Sequence, residues 1–176
     1  YKPNEDEELF CIPAQGGGSY LTRVMIEACM APAPVLRFNG TREFNAMPEP
    51  LRAAQMADWI IDNLKPVLAT LNPRRQHAMG QDFARSGDLS VIAPMEIGET
   101  LHRTVPFLME MHNVPFKQQE QVLFAIGDAL PRLCGVAIDS RGNGSYMGEA
   151  ATDKWGSIVD QVMATENWYR ERMPRY

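Results

Sequence analysis

Apolar side chains in this chain recur mainly every three or four positions, the spacing that gathers them on one face of an α-helix. Leu21, Val24, Met25, Ala28 and Cys29 follow it after Ser19, a residue suited to cap a helix start, and Pro32 and Pro34 end the run. A longer stripe of Ala53, Met56, Ile60, Leu64, Val67, Leu68 and Leu71, widened by Trp59 and Ile61, predicts a helix over 49–71. Pro66 inside it lacks the amide that would bond the carbonyl of Asp62, so a bend is expected. Asn72-Pro73 reads as the start of a more polar helix reaching residue 85, with Ala78, Met79 and Phe83 as its apolar side. Ile97, Leu101, Val105, Leu108 and Met109 predict a helix over 94–113, interrupted at Pro106. Val122, Leu123, Ile126, Leu130 and Leu133 predict another over 114–134. The last stripe runs from Trp155 through Ile158, Val159, Val162 and Met163 to Tyr169, capped by Thr152.

Two segments break the helical period. Around Asn39-Gly40, residues 34–45 form two short arms on a turn whose residues tolerate positive φ, the pattern of a β-hairpin. Residues 135–148 are glycine-rich, and Val136 and Ile138 alternate before a turn, which suggests a second small hairpin. The fold class expected is therefore mainly α: a single-domain array of five to six helices with one or two small β-hairpins. Residues 1–18, with the acidic run Glu5–Glu8 and Gly16-Gly17-Gly18, read as an arm and linker before a helical domain over 19–176.

Composition narrows the function. At 176 residues and 45% apolar content the chain can build one core without a metal or a disulfide. No apolar run approaches the roughly 20 residues of a membrane span. Cys11, Cys29 and Cys134 are scattered and odd in number, which favours free, buried thiols and the cytoplasm. The net charge of −5, with no basic stripe, makes nucleic acid an unlikely partner.

Candidate chemistry is sparse. Glu99-x-x-His102 would share a helix face, as carboxylate and imidazole do in helical metal sites, and is the candidate metal pair; His77 and His112 do not complete it. The segment Asp139 to Gly144 resembles a calcium loop at its first position. It fails at the third, where Arg141 repels a cation, and at the twelfth, where Ala150 has no oxygen to give. No catalytic residue and no cofactor is nominated. Eleven methionines suit adaptable apolar surfaces, and Met109 with Met111 cannot face one core from a single helix. The C-terminal run with Trp168, Tyr169, Arg170, Arg172 and Arg175 carries the residue types enriched where proteins bind.

Together these point to a non-enzymatic protein–protein interaction module that binds another protein or itself: an adaptor, a chaperone-like protein or an inhibitor. The alternative is a small metal- or cofactor-dependent enzyme built on Glu99 and His102. A third reading is nucleic-acid binding through the arginine-rich tail.

Overall fold

The computed structural model describes residues 22–84, 88–142 and 144–172, and the chain divides into two compact units, Tyr1–Pro32 and Ala33–Tyr176. The described part of the first holds one helix, α1 (Arg23–Cys29), every residue of which is exposed. Thr22 caps it by accepting the Met25 amide. The expected cap at Ser19, the acidic arm and Cys11 lie outside the described residues.

The second unit runs β1 (Val35–Asn39), α2 (Arg42–Ala46), α3 (Glu49–Trp59), a π-helical turn (Ile60–Leu64), α4 (Lys65–Leu68), β2 (Gln76–Asp82) and β3 (Leu89–Ile97). It continues with β4 (Arg103–Thr104), β5 (Leu108–His112), α5 (Phe116–Ala129), β6 (Leu133–Asp139), α6 (Gly144–Trp155), β7 (Val159–Val162) and α7 (Glu166–Arg172). Its strands form one seven-stranded sheet in the order β1-β5-β3-β2-β6-β7, with β4 beside β3. Pairs β1/β5, β2/β6 and β6/β7 are parallel, and β2/β3, β3/β5 and β3/β4 antiparallel. A mixed sheet packed with helices replaces the expected helical array.

The helices predicted over 74–85 and 94–113 are strands, and the reason is visible in what they bury. Along β2 the inward residues are His77, Met79 and Gln81; along β3 they are Ser90, Ile92 and Pro94. Half of these are not hydrophobic, and the outward neighbours Ala78, Gly80 and Ala93 are small and weakly apolar. Hydropathy therefore shows no alternation even though burial alternates strictly. Pro94 is tolerated in an inner strand because β3 pairs with β5 only at Leu89–Ile92 and with β4 only at Glu96–Ile97. The gap between them needs no donor. Met109 and Met111, which one helix could not bury together, are both buried because alternate residues of β5 share a face.

Neither hairpin exists as expected. β1 pairs in parallel with the distant β5, and after Gly40 the chain enters α2, where the Thr41 hydroxyl accepts the Phe44 amide. Gly40 is required by closeness, because a Cβ there would strike the main-chain carbonyl of Asn113. The 135–148 segment is split between β6 and α6. The stripe predicted for the final helix is divided among α6, β7 and α7. Cys29 and Cys134 are free but exposed, not buried.

The helix over 49–71 is close to expectation, and Pro66 leaves a clear mark on it. The turn before the proline widens, so that the Lys65 amide reaches back to the Ile60 carbonyl, five residues away. One core joins Met56, Ile60, Leu64 and Leu68 of this helix and Val122, Leu123 and Ile126 of α5 to Met79, Ile92, Met109, Val136 and Ile138 of the sheet. Ile61, assigned by spacing to the same stripe, is half exposed. Leu64→Ala should therefore cost about 2–5 kcal/mol in denaturant unfolding, whereas Ile61→Ala should stay within roughly 0.5 kcal/mol.

Candidate metal centre

β2 and β6 are neighbours running in the same direction, yet the chain leaves them on opposite sides: β2 turns back into β3, while β6 leads through α6 to β7. Between them lies a point where the winding of the sheet reverses. In sheets of this kind a crevice opens beyond the strand carboxyl ends at such a point. Both strands end there in aspartate. The register matches Gln81 with Ile138, so Asp82 and Asp139 are the next pair, on strands about 4.8 Å apart. Because Gln81 and Ile138 point into the core, the two carboxylates point to the other face, above Gly80 and Ala137.

Two cavities share this pair. One of about 380 Å³ is lined by Asp82, Phe83, Ala84, Asp88, Asp139 and Arg141. The other, of about 650 Å³, extends from Asp82, Asp139 and Arg141 past Asp160 to Trp168, Tyr169 and Arg172. Asp160 faces Ala137 across β6/β7, so it stands on the carboxylates' face of the sheet, two residues back from the Asp139 level.

Each carboxylate is positioned by its surroundings. Below Asp82, the buried Ser90 hydroxyl donates to the Asp82 carbonyl at 3.1 Å, and buried Gln81 lies 3.5 Å from the same hydroxyl. The loop after Asp82 is tied down by Gln119 of α5, whose amide donates to the Ala84 and Val114 carbonyls at 2.8 Å each. Beyond Asp139 the Ser140 amide donates to the Val162 carbonyl, carrying the β6/β7 ladder past the carboxylate. α6 begins hard against this strand end, and a Cβ on Gly144 would collide with the Asp139 carbonyl. A Cβ on Gly148, one turn on, would press on the Ser140 hydroxyl and Gln161.

The electrostatics of the two acids differ. Asp139 accepts from the Arg141 guanidinium, Nη2 to Oδ2 at 3.0 Å, and from the Arg141 amide at 3.1 Å. The side-chain hydrogen bond from Arg141 holds its carboxyl below the usual range, against a smaller opposing effect of burial. It stays ionised. Among the described residues, no hydrogen bond or ion pair occupies the Asp82 carboxylate.

These donors fit a small hard cation. Mg²⁺ and Mn²⁺ favour carboxylate oxygen and are commonly held by one or two carboxylates, with water and substrate phosphate completing the shell. Two adjacent aspartates beside open volume supply that set. Among the described residues no group of three or more His, Cys, Asp or Glu side chains converges on one point, so the remaining ligands would come from outside this set.

The metal pair nominated from sequence falls elsewhere, while part of the nominated tail reaches the larger cavity. Glu99 and His102 lie in the turn between β3 and β4, where Gly98 bonds the His102 carbonyl and Leu101 has a positive φ. The shared helix face behind that pair is absent, and Glu99 is paired with Arg75 at 2.9 Å. This turn is at the other end of the sheet from the aspartates, since Gln76 faces Ile97 whereas Asp82 faces Val91. His77 is buried in β2, its Nδ1 2.8 Å from the Pro131 carbonyl. From the tail, Trp168, Tyr169 and Arg172 reach the rim of the larger cavity, Arg170 pairs with Glu166 on α7, and Arg175 lies outside the described residues. Asp82 does not stand out in the sequence because its strand reads as a polar helix, and Asp139 reads only as the first position of a failed calcium loop. The signal available to both is an aspartate closing a short, small-residue strand.

No family model matches this chain. It is 43% identical over 178 residues to a protein of Escherichia phage Mu described as a probable terminase, large subunit gp28, covering 99% of this chain and 32% of that protein. It is 40% identical over 172 residues to the Mu-like prophage FluMu protein gp28 of Haemophilus influenzae, covering 97% of this chain and 34% of that one. The chain thus spans about a third of the length of these relatives. Crystal structures of the large terminase nuclease from thermophilic phage G20c, with bound magnesium and with bound zinc, align over 57% of this chain at 20% identity. Their TM-scores are 0.45 and 0.44, covering 51% and 56% of those chains, a partial likeness only.

The phage relatives overturn the expectation of a non-enzymatic helical interaction module, and with it the expectation that nucleic acid is an unlikely partner. An enzyme, the alternative reading, fits them better. Among the described residues no helix is long and apolar enough to cross a membrane. The clearance at the strand end is directly testable. Gly144→Ala should lower stability by about 1–3 kcal/mol in denaturant unfolding, and should weaken Mn²⁺ uptake measured by calorimetry at the same time.

Proposed function

We propose that this chain is the DNA-cleaving part of a phage terminase large subunit, a divalent-metal-dependent phosphodiesterase whose cation is held by Asp82 and Asp139. The observation that carries the reading is the pairing of these two carboxylates at the winding reversal of the sheet. It gains weight from a chain that aligns almost throughout with a probable terminase large subunit. The compartment this implies is the cytoplasm of the phage's host.

When bound, a divalent cation in such a donor set acts as a Lewis acid toward a phosphate oxygen and makes water a better nucleophile near neutral pH. The chain's own residues do the rest. Asp139, kept ionised by Arg141, and Asp82 hold their oxygens in fixed register because the ladders on both sides of β6 leave the strand end little freedom. Asp88 adds a third carboxylate to the lining of the smaller cavity. Trp168 and Tyr169 meet edge to face at 5.2 Å between ring centres on the rim of the larger cavity, and offer π-faces to nucleobases. Arg172 beside them offers charge to a phosphate. An acidic chain can bind DNA through such a local patch, because the release of counterions depends on nearby charges and not on the total.

Two measurements test the reading. Asp82→Asn and Asp139→Asn should each lower Mg²⁺-dependent cleavage of duplex DNA by about a hundredfold or more, the several kcal/mol a catalytic metal supplies. Far-ultraviolet circular dichroism should remain unchanged. Undiminished cleavage in both variants would remove the site. For the rim, Arg172→Gln should weaken DNA binding uniformly across sequences and reduce the slope of log affinity against log salt by about 1.

A further inference from the structure

Resting on that reading, we propose that Arg141 occupies the cation's place at Asp139 and yields it when a divalent ion binds, so that metal loading frees a guanidinium for the DNA backbone. Among the described residues, the Asp139 carboxylate receives four hydrogen bonds, all from Arg141: the main-chain amide to Oδ1, Nε to both carboxylate oxygens, and Nη2 to Oδ2. The two kinds of contact have separate consequences. The amide bond belongs to the backbone turn and remains when the side chain leaves, so Asp139 keeps its orientation. The guanidinium covers the oxygens a metal would need.

The side chain is able to leave. Arg141 is 54% exposed and Asp139 20%, so the moving partner is the solvent-facing one, and ion pairs this exposed are weak. Arg141 would be repelled from the Asp139 carboxylate by a divalent cation held there, whose double charge exceeds its own. Arg141 also lines both cavities, and the larger one leads to Trp168, Tyr169 and Arg172. A released guanidinium therefore has open volume on the side where the nucleic acid would lie. Planar and always charged, it suits a phosphate as well as a carboxylate. Without metal it offsets the repulsion between adjacent carboxylates; with metal it becomes a substrate contact.

The exchange is tested by titrating Mn²⁺ into the 176-residue chain and its variants, and by measuring duplex DNA affinity with and without Ca²⁺. Arg141→Gln should bind Mn²⁺ about twofold to fivefold more tightly than wild type, the strength of an exposed ion pair expressed as affinity. Arg141→Lys, which keeps the charge, should fall back toward wild type. Ca²⁺ should raise the DNA affinity of wild type more than that of Arg141→Gln. Unchanged or weaker Mn²⁺ binding in Arg141→Gln, with binding still lost in Asp82→Asn, would overturn the exchange and leave the metal site standing. No Mn²⁺ uptake sensitive to Asp82→Asn or Asp139→Asn would overturn both.

Discussion

Two neighbouring strands that run in the same direction deliver their last residues to the same edge of a sheet, and everything proposed for this chain depends on β2 and β6 doing so. Had β6 returned antiparallel to β2, Asp139 would stand at the opposite edge from Asp82. Parallel pairing needs a crossover, and here it is supplied by the stretch from β3 to α5. That stretch also builds three of the seven strands and lays α5 across the core, where Val122, Leu123 and Ile126 are fully buried. The burial that stabilises the fold thus also fixes the register that brings two like charges together. Repulsion between them is a local cost carried by a global structure, and Arg141 offsets part of it on the spot.

Precision at the edge comes from small residues and buried polar groups, not from the apolar core. Gly144 and Gly148 let α6 start against the end of β6, where any side chain would push Ser140 or the Asp139 carbonyl out of line. On the β2 side, Gln81, Ser90 and Gln119 are buried polar residues within one or two positions of the aspartate edge or bonded to its loop. Polar groups are expensive to bury unless bonded, so their bonds are directional and hard to exchange. A Leu in place of Gln119 would fill similar space yet leave the Ala84 and Val114 carbonyls without their donor.

These same features explain which parts of the molecule could be read from sequence. The helix over 49–71 and α5 are legible because they bury plain apolar stripes at helical spacing: Met56, Ile60 and Leu64 in one case, Val122, Leu123 and Ile126 in the other. β2 and β3 are not, because His77, Gln81 and Ser90 take inward positions while alanine and glycine take outward ones. Strands pairing with distant partners leave no local trace, so Asn39-Gly40 imitates a hairpin turn although β1 pairs with β5, 73 residues on at Arg37 and Glu110. Of the site, the aromatic and arginine residues of α7 were singled out by type, and Trp168, Tyr169 and Arg172 do line the larger cavity. Their neighbourhood was invisible, since nothing in the spacing of Asp82, Asp139 and Trp168 announces that a sheet edge unites them.

Charge is a misleading signal if the proposed function holds. A total of −5 makes nucleic acid look an unlikely partner, yet a phosphodiester-cutting site of the proposed kind is itself acidic where it would hold its cations. Carboxylates gathered at one edge repel a polyanion until divalent ions reverse the sign of the local field. In such a site acidity and nucleic-acid chemistry belong together, and the discriminating feature is geometry: where the acids converge, and whether guanidinium groups flank them. Asp82 and Asp139 end the neighbouring strands β2 and β6, with Arg141 and Arg172 on the walls of the same cavity. Under the proposed function, that arrangement would make binding of DNA conditional on binding of the metal, and cleavage would be restricted to the loaded chain without any further device.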